Sequence, residues 1–140
     1  MELLIVMLIM GVMAQLSMGR VHALMNQQRV VHAASAIRND LEAAFQIAAR
    51  NRKPVQIKWD AANQQFIIGD RSGSMFYRKT NLGRQAYGFQ NGEVTVSQSP
   101  LQVYPNGLAA DELVITINSQ GVKKMIKMSR AGLVQVVQNP

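Results

Sequence analysis

A long apolar run near the N-terminus constrains this chain more than any other feature. Between Leu3 and Gly19 no residue is charged, and only Gln15 and Ser17 are polar. A helix through this run would be about 25 Å long, slightly short of the roughly 30 Å hydrocarbon core of a bilayer. Its apolar side chains would lie on every side, and the rest of the 140-residue chain is too short to wrap it. We therefore expect the run to lie in a membrane or among copies of itself.

The acidic residue before the run, Glu2, has two interpretations. It could mark the helix N-terminus, where the helix dipole and the unpaired N–H groups favour an anion. It could equally be an assembly residue that pairs with a cation on a neighbouring subunit, because a carboxylate beside an apolar helix is costly without a partner. A cleaved secretory signal is disfavoured, since no Lys or Arg precedes the run and residues 12–14 match a cleavage site poorly.

The helical pattern continues beyond the apolar run but becomes one-sided. Apolar residues recur at steps of three and four, and no proline occurs before Pro54. One helix is therefore predicted over residues 2–49, with a length of about 70 Å. The predicted units are a helix over residues 1–50, with 3–19 spanning the membrane and 20–50 packing on a sheet, and a β-rich domain over residues 54–140.

After Pro54 the apolar spacing changes from near four to two, which is typical of half-buried strands. Seven or eight short strands are predicted at hairpin spacing, as in an antiparallel sandwich or meander. The predicted fold class is therefore α+β, with a long N-terminal α-helix followed by an antiparallel β-sandwich-like domain. The strand segments are residues 55–59, 65–68, 75–78, 93–97, 101–104, 112–118, 122–128 and 133–137.

The segment Glu-Leu-Leu-Ile-Val-Met-Leu-Ile-Met-Gly-Val from Glu2 onward resembles the N-terminal helix of type IV pilins and type II secretion pseudopilins. In that family a leader ends in Gly, and the mature protein opens Phe-Thr-Leu-x-Glu before such an apolar run. Glu2 then corresponds to the family's glutamate. The leader and the first three mature residues have no counterpart before Met1, so we expect either a longer reading frame or a trimmed chain. The family's leader processing and N-methylation apply only to a chain that carries those residues.

The C-terminal half resembles the GspH/FimT-type pseudopilin domain. The segments that carry the likeness are residues 104–107, 113–117 and 125–134, which read YPNG, LVITI and MIKMSRAGLV. The resemblance implies a minor pseudopilin, a structural subunit of a type II secretion pseudopilus or of a type IV pilus-like filament. It also implies a single-pass protein of the bacterial inner membrane, with its β-domain in the periplasm. Its partners would be other pilins and pseudopilins through the N-terminal helix, and the inner-membrane assembly platform.

The charge distribution bears on orientation. The net charge is +7, but no cationic run reaches the five or six like charges of an interaction tail. Arg20 and Arg29 follow the apolar run, so the positive-inside rule taken alone would leave the β-domain in the cytoplasm. Pilin-like proteins have the opposite orientation, usually with the help of a basic leader.

The sequence does not favour catalysis, and we predict no enzyme activity and no cofactor. Cys is absent, so thiol chemistry, disulfides and cysteine metal sites are excluded. His22 and His32 are the only histidines, and metal ligands on a helix need a spacing of three or four rather than ten. We predict no metal site and no catalytic residues.

Nucleic-acid binding is the alternative function. Some proteins of the FimT type resemble DNA receptors for natural transformation, with an arginine-rich motif near the C-terminus. Residues 129–135 hold a single arginine here, Arg130, so a solvated cationic strand face is the simpler interpretation. A DNA-binding minor pilin for DNA uptake would use clustered cations. The candidates are Arg78, Lys79, Arg84, Lys123, Lys124 and Lys127.

Overall fold

The computed structural model describes the backbone of residues 2–138 and the side chains of residues 3–137. One helix is followed by eight strands, so the predicted order of elements is confirmed. The elements are α1 (Glu2–Asn51), β1 (Val55–Asp60), β2 (Gln65–Asp70), β3 (Phe76–Asn81), β4 (Val94–Val96), β5 (Leu101–Val103), β6 (Leu113–Ser119), β7 (Val122–Met128) and β8 (Val134–Gln138).

The single long helix is confirmed, and local chemistry explains where it ends. No proline interrupts residues 2–51, so the backbone ladder of α1 is continuous. Arg50 lies in the last turn, where a cation is favoured by the helix dipole. Arg52 then adopts a positive φ of 53°, and Pro54 follows, so the chain turns away into β1.

The strands form two four-stranded antiparallel sheets. Sheet A has the order β3-β2-β1-β5 and sheet B the order β4-β6-β7-β8. The alternation that predicted the strands follows their two faces: in β6, Leu113, Ile115 and Ile117 are buried, and the residues between them are not. Ala109 joins the sheets, because it forms a bridge with Val103 of β5 and donates its N–H to the carbonyl of Arg130 beyond β7. The α+β architecture is therefore confirmed.

The second half of α1 packs against both sheets and supplies one side of the core. Alanines at the contact face let the helix approach closely, and Ala33, Ala44 and Ala48 are completely buried. Ile37 and Leu41 fill the space between them and the strands. Strands from both sheets contact α1, so the helix is the element that the whole domain shares.

The segment between β3 and β4 had no clear prediction, and it forms a compact turn. The carbonyl of Gly83 accepts hydrogen bonds from three successive backbone N–H groups, those of residues 86–88. Leu82 and Phe89 flank the turn, and both side chains are buried in the core. The segment is thus fixed by backbone hydrogen bonds and two anchors rather than by strand pairing.

Truncation of the core of sheet B tests this packing. Ile115 is completely buried on the face of β6 that packs into the core. Ile115→Ala should lower the free energy of unfolding by about 2–5 kcal/mol, because it leaves a cavity that the sheets and α1 cannot close. Gln135→Ala, on the exposed face of β8, is the matched control and should change it by less than about 0.5 kcal/mol. Urea unfolding in a mild detergent, followed by the fluorescence of Trp59, measures the free energy of unfolding of both variants. Equal losses in the two variants would contradict the packing of Ile115 into the core.

Candidate assembly surface

The first half of α1 projects from the domain with its side chains uncovered. Every residue from Leu3 to Met25 is exposed, and we call residues 3–25 the free rod. Leu3 is 76% exposed and Leu16 is 72% exposed, values that large apolar side chains rarely reach in a folded domain. One helix window with a mean hydropathy of 1.8 has none of its surface buried and is long and apolar enough to cross a membrane. An apolar surface of this extent marks an interaction surface.

The few polar groups of the free rod fit an apolar environment in different ways. The hydroxyl of Ser17 donates to the carbonyl of Met13, one turn earlier, at 3.0 Å. This hydrogen bond satisfies the hydroxyl within the helix, so Ser17 does not require water. Arg20 is the first charged residue of the free rod and follows the apolar run directly, as expected where a helix leaves a bilayer.

A network of hydrogen bonds marks the point where the free rod meets the domain. Asn26, the first buried residue of α1, donates from Nδ2 to the carbonyl of Ser119 at 2.9 Å. Arg29 donates from Nη2 to Asn26 Oδ1 at 2.6 Å and to Ser119 Oγ at 2.8 Å. The Ser119 hydroxyl donates in turn to Glu93 Oε1 at 2.7 Å. We call these four residues the clamp, because they tie the helix to the end of β6 and to the segment before β4.

An aromatic ring holds the Arg29 side chain from the other side. Its guanidinium carbon lies 5.2 Å from the centroid of Phe89, a cation–π distance. Gly88 makes this approach possible, because a Cβ there would lie 3.1 Å from Arg29 Nη1. Gly88 also has a φ of 75°, which side-chain-bearing residues rarely adopt. The clamp and Phe89 together fix the direction in which the free rod leaves the domain.

An ion pair between a buried aspartate and a half-exposed arginine joins the helix to sheet A farther along α1. Asp40 has a side chain only 5% exposed, and its Oδ1 lies 2.6 Å from Nε of Arg78 on β3. Burial raises the pKa of Asp40, and the neighbouring Thr80 and the charge of Arg78 oppose that rise without cancelling it. The burial of Asp40 was not predicted from the sequence. The signal was present, because Asp40 lies three residues after Ile37 and four before Ala44, on the apolar stripe of the helix.

The six basic residues proposed for nucleic acid do not share one face of the domain. Arg78 is engaged by Asp40, while its neighbour Lys79 alternates to the other face of β3. On β7, Lys123 and Lys127 are exposed and Lys124 alternates to the opposite face. Arg84 lies in the turn after β3. Nucleic-acid contact by these residues remains a sequence-based prediction.

The other predicted site residue, Glu2, begins α1, but its side chain lies outside the residues whose side chains are described. Its pairing with a neighbouring subunit therefore remains a prediction. His22 and His32 both lie exposed on α1. Within the described part of the chain, no group of three or more His, Asp or Glu residues is placed to hold a metal ion.

No family model matches the chain, and no curated protein matches its sequence. Two crystal structures of the type IV minor pilin FimU of Pseudomonas aeruginosa match with TM-scores of 0.59 and 0.57 and identities of 20% and 23%. These matches cover 76% and 78% of this chain, and 90% and 87% of the FimU chains. This chain has the minor-pilin fold.

The minor pseudopilin EpsH of the type 2 secretion system of Vibrio cholerae shares that fold. Its structure matches with a TM-score of 0.52 and 10% identity, over 76% of this chain and 94% of EpsH. The resemblance to pilin-like proteins, first seen in the apolar run after Glu2, is thus confirmed at the level of the fold. The neighbours are one pilin and one pseudopilin, and they give the DNA-uptake alternative no support.

The buried carboxyl of Asp40 gives the minor-pilin domain a testable pH dependence. Its pKa in the folded protein is higher than the reference value of 3.8, so the folded state binds more protons in the interval above that value. Asp40 therefore contributes stability that is complete below about pH 4 and is lost as the pH rises through its folded pKa. Relative to wild type, Asp40→Asn should gain stability progressively between pH 4 and pH 7, measured by urea unfolding.

Asp111→Asn is the control, because its effect on stability should depend on pH in the opposite direction. Hydrogen bonds from the Gln98 amide and the Glu112 N–H, with Arg130 beside it, lower the pKa of Asp111. Asp111 therefore stabilises the folded state above about pH 4, and the contribution is lost as the pH falls through its folded pKa. The loss of stability of this variant relative to wild type should appear at neutral pH and shrink toward pH 3. The same direction of change in both variants would contradict the assigned environment of Asp40.

Proposed function

We propose that this chain is a minor pilin or pseudopilin subunit, a structural component of a type II secretion pseudopilus or of a type IV pilus-like filament. The observation that carries the proposal is the free rod, an uncovered apolar helix on a chain with the minor-pilin fold. In this proposal residues 3–19 cross the bacterial inner membrane once, and the β-domain lies in the periplasm. The chain acts by assembly rather than by catalysis.

The proposed assembly step transfers the free rod from lipid into a bundle of like helices. Both environments are apolar, so the transfer itself contributes little net hydrophobic free energy. Close packing and polar contacts must then select the register of each subunit. Glu2 is the proposed polar contact and would pair with the N-terminal amine of a neighbouring subunit. Other pilins, the membrane and the inner-membrane assembly platform are the partners that this step requires.

The contacts along α1 suit a subunit that is moved by its helix. At one end the clamp joins the helix to sheet B through Ser119. At the other end Gly132 lies so close to Phe45 that a Cβ on the glycine would be 3.2 Å from the ring. Between them Asp40 joins α1 to sheet A. A force along the rod would therefore be distributed over both sheets rather than borne by one contact.

A charge in the middle of the apolar run tests the membrane part of the proposal. Met10 is 68% exposed on the free rod, near the centre of residues 3–19. Met10→Arg should lower the partition constant of the full-length chain into liposomes about 100-fold, because an arginine at the centre of a spanning helix costs about 3 kcal/mol. Gln28→Arg, on an exposed position beyond the run, is the matched control. Flotation with liposomes measures both, and equal flotation of the two variants would contradict insertion of this segment.

Replacement of Glu2 separates assembly from membrane insertion. Glu2→Gln keeps the size of the side chain and removes its charge. In cells that express it from the native gene, this variant should remain in the membrane fraction but be lost from sheared filaments. Immunoblots of the two fractions provide the measurement, with Gln28→Glu as a control for a charge change elsewhere on α1. Undiminished incorporation of Glu2→Gln would contradict the pairing role.

A further inference from the structure

One end of the β-domain lies beside the point where the free rod would leave the membrane. Strands β6 and β7 run alongside α1, with Ser119 at Asn26 and the opposite end, at Gly132, near Phe45. The turn between β6 and β7 therefore points toward the free rod. His22 and Gln120 line one cleft of about 350 Å³ between helix and turn, so the turn reaches to within one helical turn of Arg20.

Four cations lie at this end of the domain. Arg20 is exposed on the free rod, and Lys123 is exposed two residues beyond the turn glycine Gly121. Lys124 follows it and is half-buried. Arg84 is exposed in the turn that precedes Phe89, and the contact of Phe89 with Arg29 holds that turn at the same end. We call Arg20, Arg84, Lys123 and Lys124 the basic collar.

Two acidic groups, Glu93 and Asp60, lie nearby and do not balance the four cations of the collar, and each makes local hydrogen bonds. Glu93 accepts from the Ser119 hydroxyl through one carboxylate oxygen and from the backbone N–H of Gln90 through the other. Asp60 accepts from the backbone N–H groups of Ala62 and Asn63 and from the Asn63 amide. No Asp or Glu occurs in residues 3–39, so the helix itself adds only positive charge here.

We infer that the basic collar binds the phosphate groups of anionic phospholipids while the chain resides in the membrane. This inference rests on the proposed function, because it requires residues 3–19 to lie in the bilayer. The apolar run ends at Gly19, and Asn26 lies only about 10 Å farther along the helix. That distance is close to the Debye length of roughly 8 Å at physiological ionic strength, so the collar lies within the electrostatic reach of the headgroups. A neutral bilayer offers no such attraction.

The contact would keep the β-domain on the bilayer surface before assembly and would be lost when the subunit is extracted from the membrane. Each cation near an anionic surface favours the contact by a factor of about five. The collar surrounds the base of the free rod on more than one side, since Arg84 lies beyond β3 of sheet A and Lys123 lies on sheet B. The lipid composition around the subunit would therefore influence how readily it enters a filament.

Lysine reactivity in nanodiscs tests the inference on the full-length chain. The chain is placed in phosphatidylcholine nanodiscs and in nanodiscs with part of this lipid replaced by phosphatidylglycerol, and labelled with an amine-reactive ester. Labelling of Lys123 and Lys124 should slow about fivefold in the anionic discs and recover at high salt. Lys53 and Lys79 provide internal controls, because both are exposed and neither belongs to the collar. Peptide mass spectrometry measures all four sites.

Paired arginine variants show whether the collar acts as a unit. Arg20→Gln with Arg84→Gln should return the labelling of Lys123 and Lys124 in anionic discs toward the rate in neutral discs. Arg52→Gln with Arg71→Gln is the matched control, since both arginines are exposed at the end of the domain that faces away from the free rod. The control pair should leave the protection unchanged.

Three outcomes show whether this inference or the proposed function fails. A chain that fails to co-elute with either kind of disc on size exclusion would overturn membrane insertion, and the collar inference with it. A chain that stays in both discs but labels Lys123 and Lys124 equally in them would overturn the collar alone. A loss of labelling at all four lysines would also overturn it, because the effect would not be local to the collar.

Discussion

The structure depends on an apolar surface that the protein does not cover itself. Residues 3–25 of α1 are exposed on every side, and the domain first contacts the helix at Asn26. In water this surface is unfavourable in proportion to its area, so lipid or other helices must take the place of a core. The fold of the remaining chain is arranged to present this surface rather than to hide it. This uncovered surface is the observation on which the proposed assembly role rests.

The two halves of α1 differ in how their apolar side chains are distributed around the helix. Its first half is apolar all round, whereas its second half confines small and branched side chains such as Ala44 and Ile37 to one buried stripe. The change occurs at the clamp, where polar groups of Asn26 and Arg29 satisfy backbone and side-chain atoms of the sheet domain. Because the helix is continuous through this change, the orientation of the domain follows that of the rod. The contact of Asp40 with Arg78 gives α1 a second connection, to the other sheet.

The elements that could be predicted from the sequence are those whose signal lies in residues close together along the chain. The helix follows from uninterrupted periodicity up to Pro54, and β6 follows from alternation of Leu113, Ile115 and Ile117. The clamp has no such local signal, since Asn26 and Ser119 lie 93 residues apart in the chain. The segment containing Phe89 was also not predicted, because its order comes from one turn and from contacts with the core and with Arg29.

The positions of the candidate site residues also depend on contacts between residues distant in sequence, which the sequence does not reveal. Arg78 and Lys79 are adjacent in sequence and suggested a joint patch, but strand alternation sends them to different faces, and Arg78 pairs with a helix residue 38 positions away. The apolar run, in contrast, was predicted to be too extensive for the rest of the chain to cover, and residues 3–25 are exposed. The resemblance of the first residues to pilins agrees with the fold match to a minor pilin and a minor pseudopilin, which covers 76% of the chain.

Sedimentation of the full-length chain tests the central claim most directly. The purified protein is examined by analytical ultracentrifugation in a mild detergent and again after the detergent is removed. The free rod predicts a single subunit in detergent and association into larger species without it, because the apolar helices then have only each other to contact. A chain that remained monomeric in plain buffer, with its β-domain folded, would contradict the account.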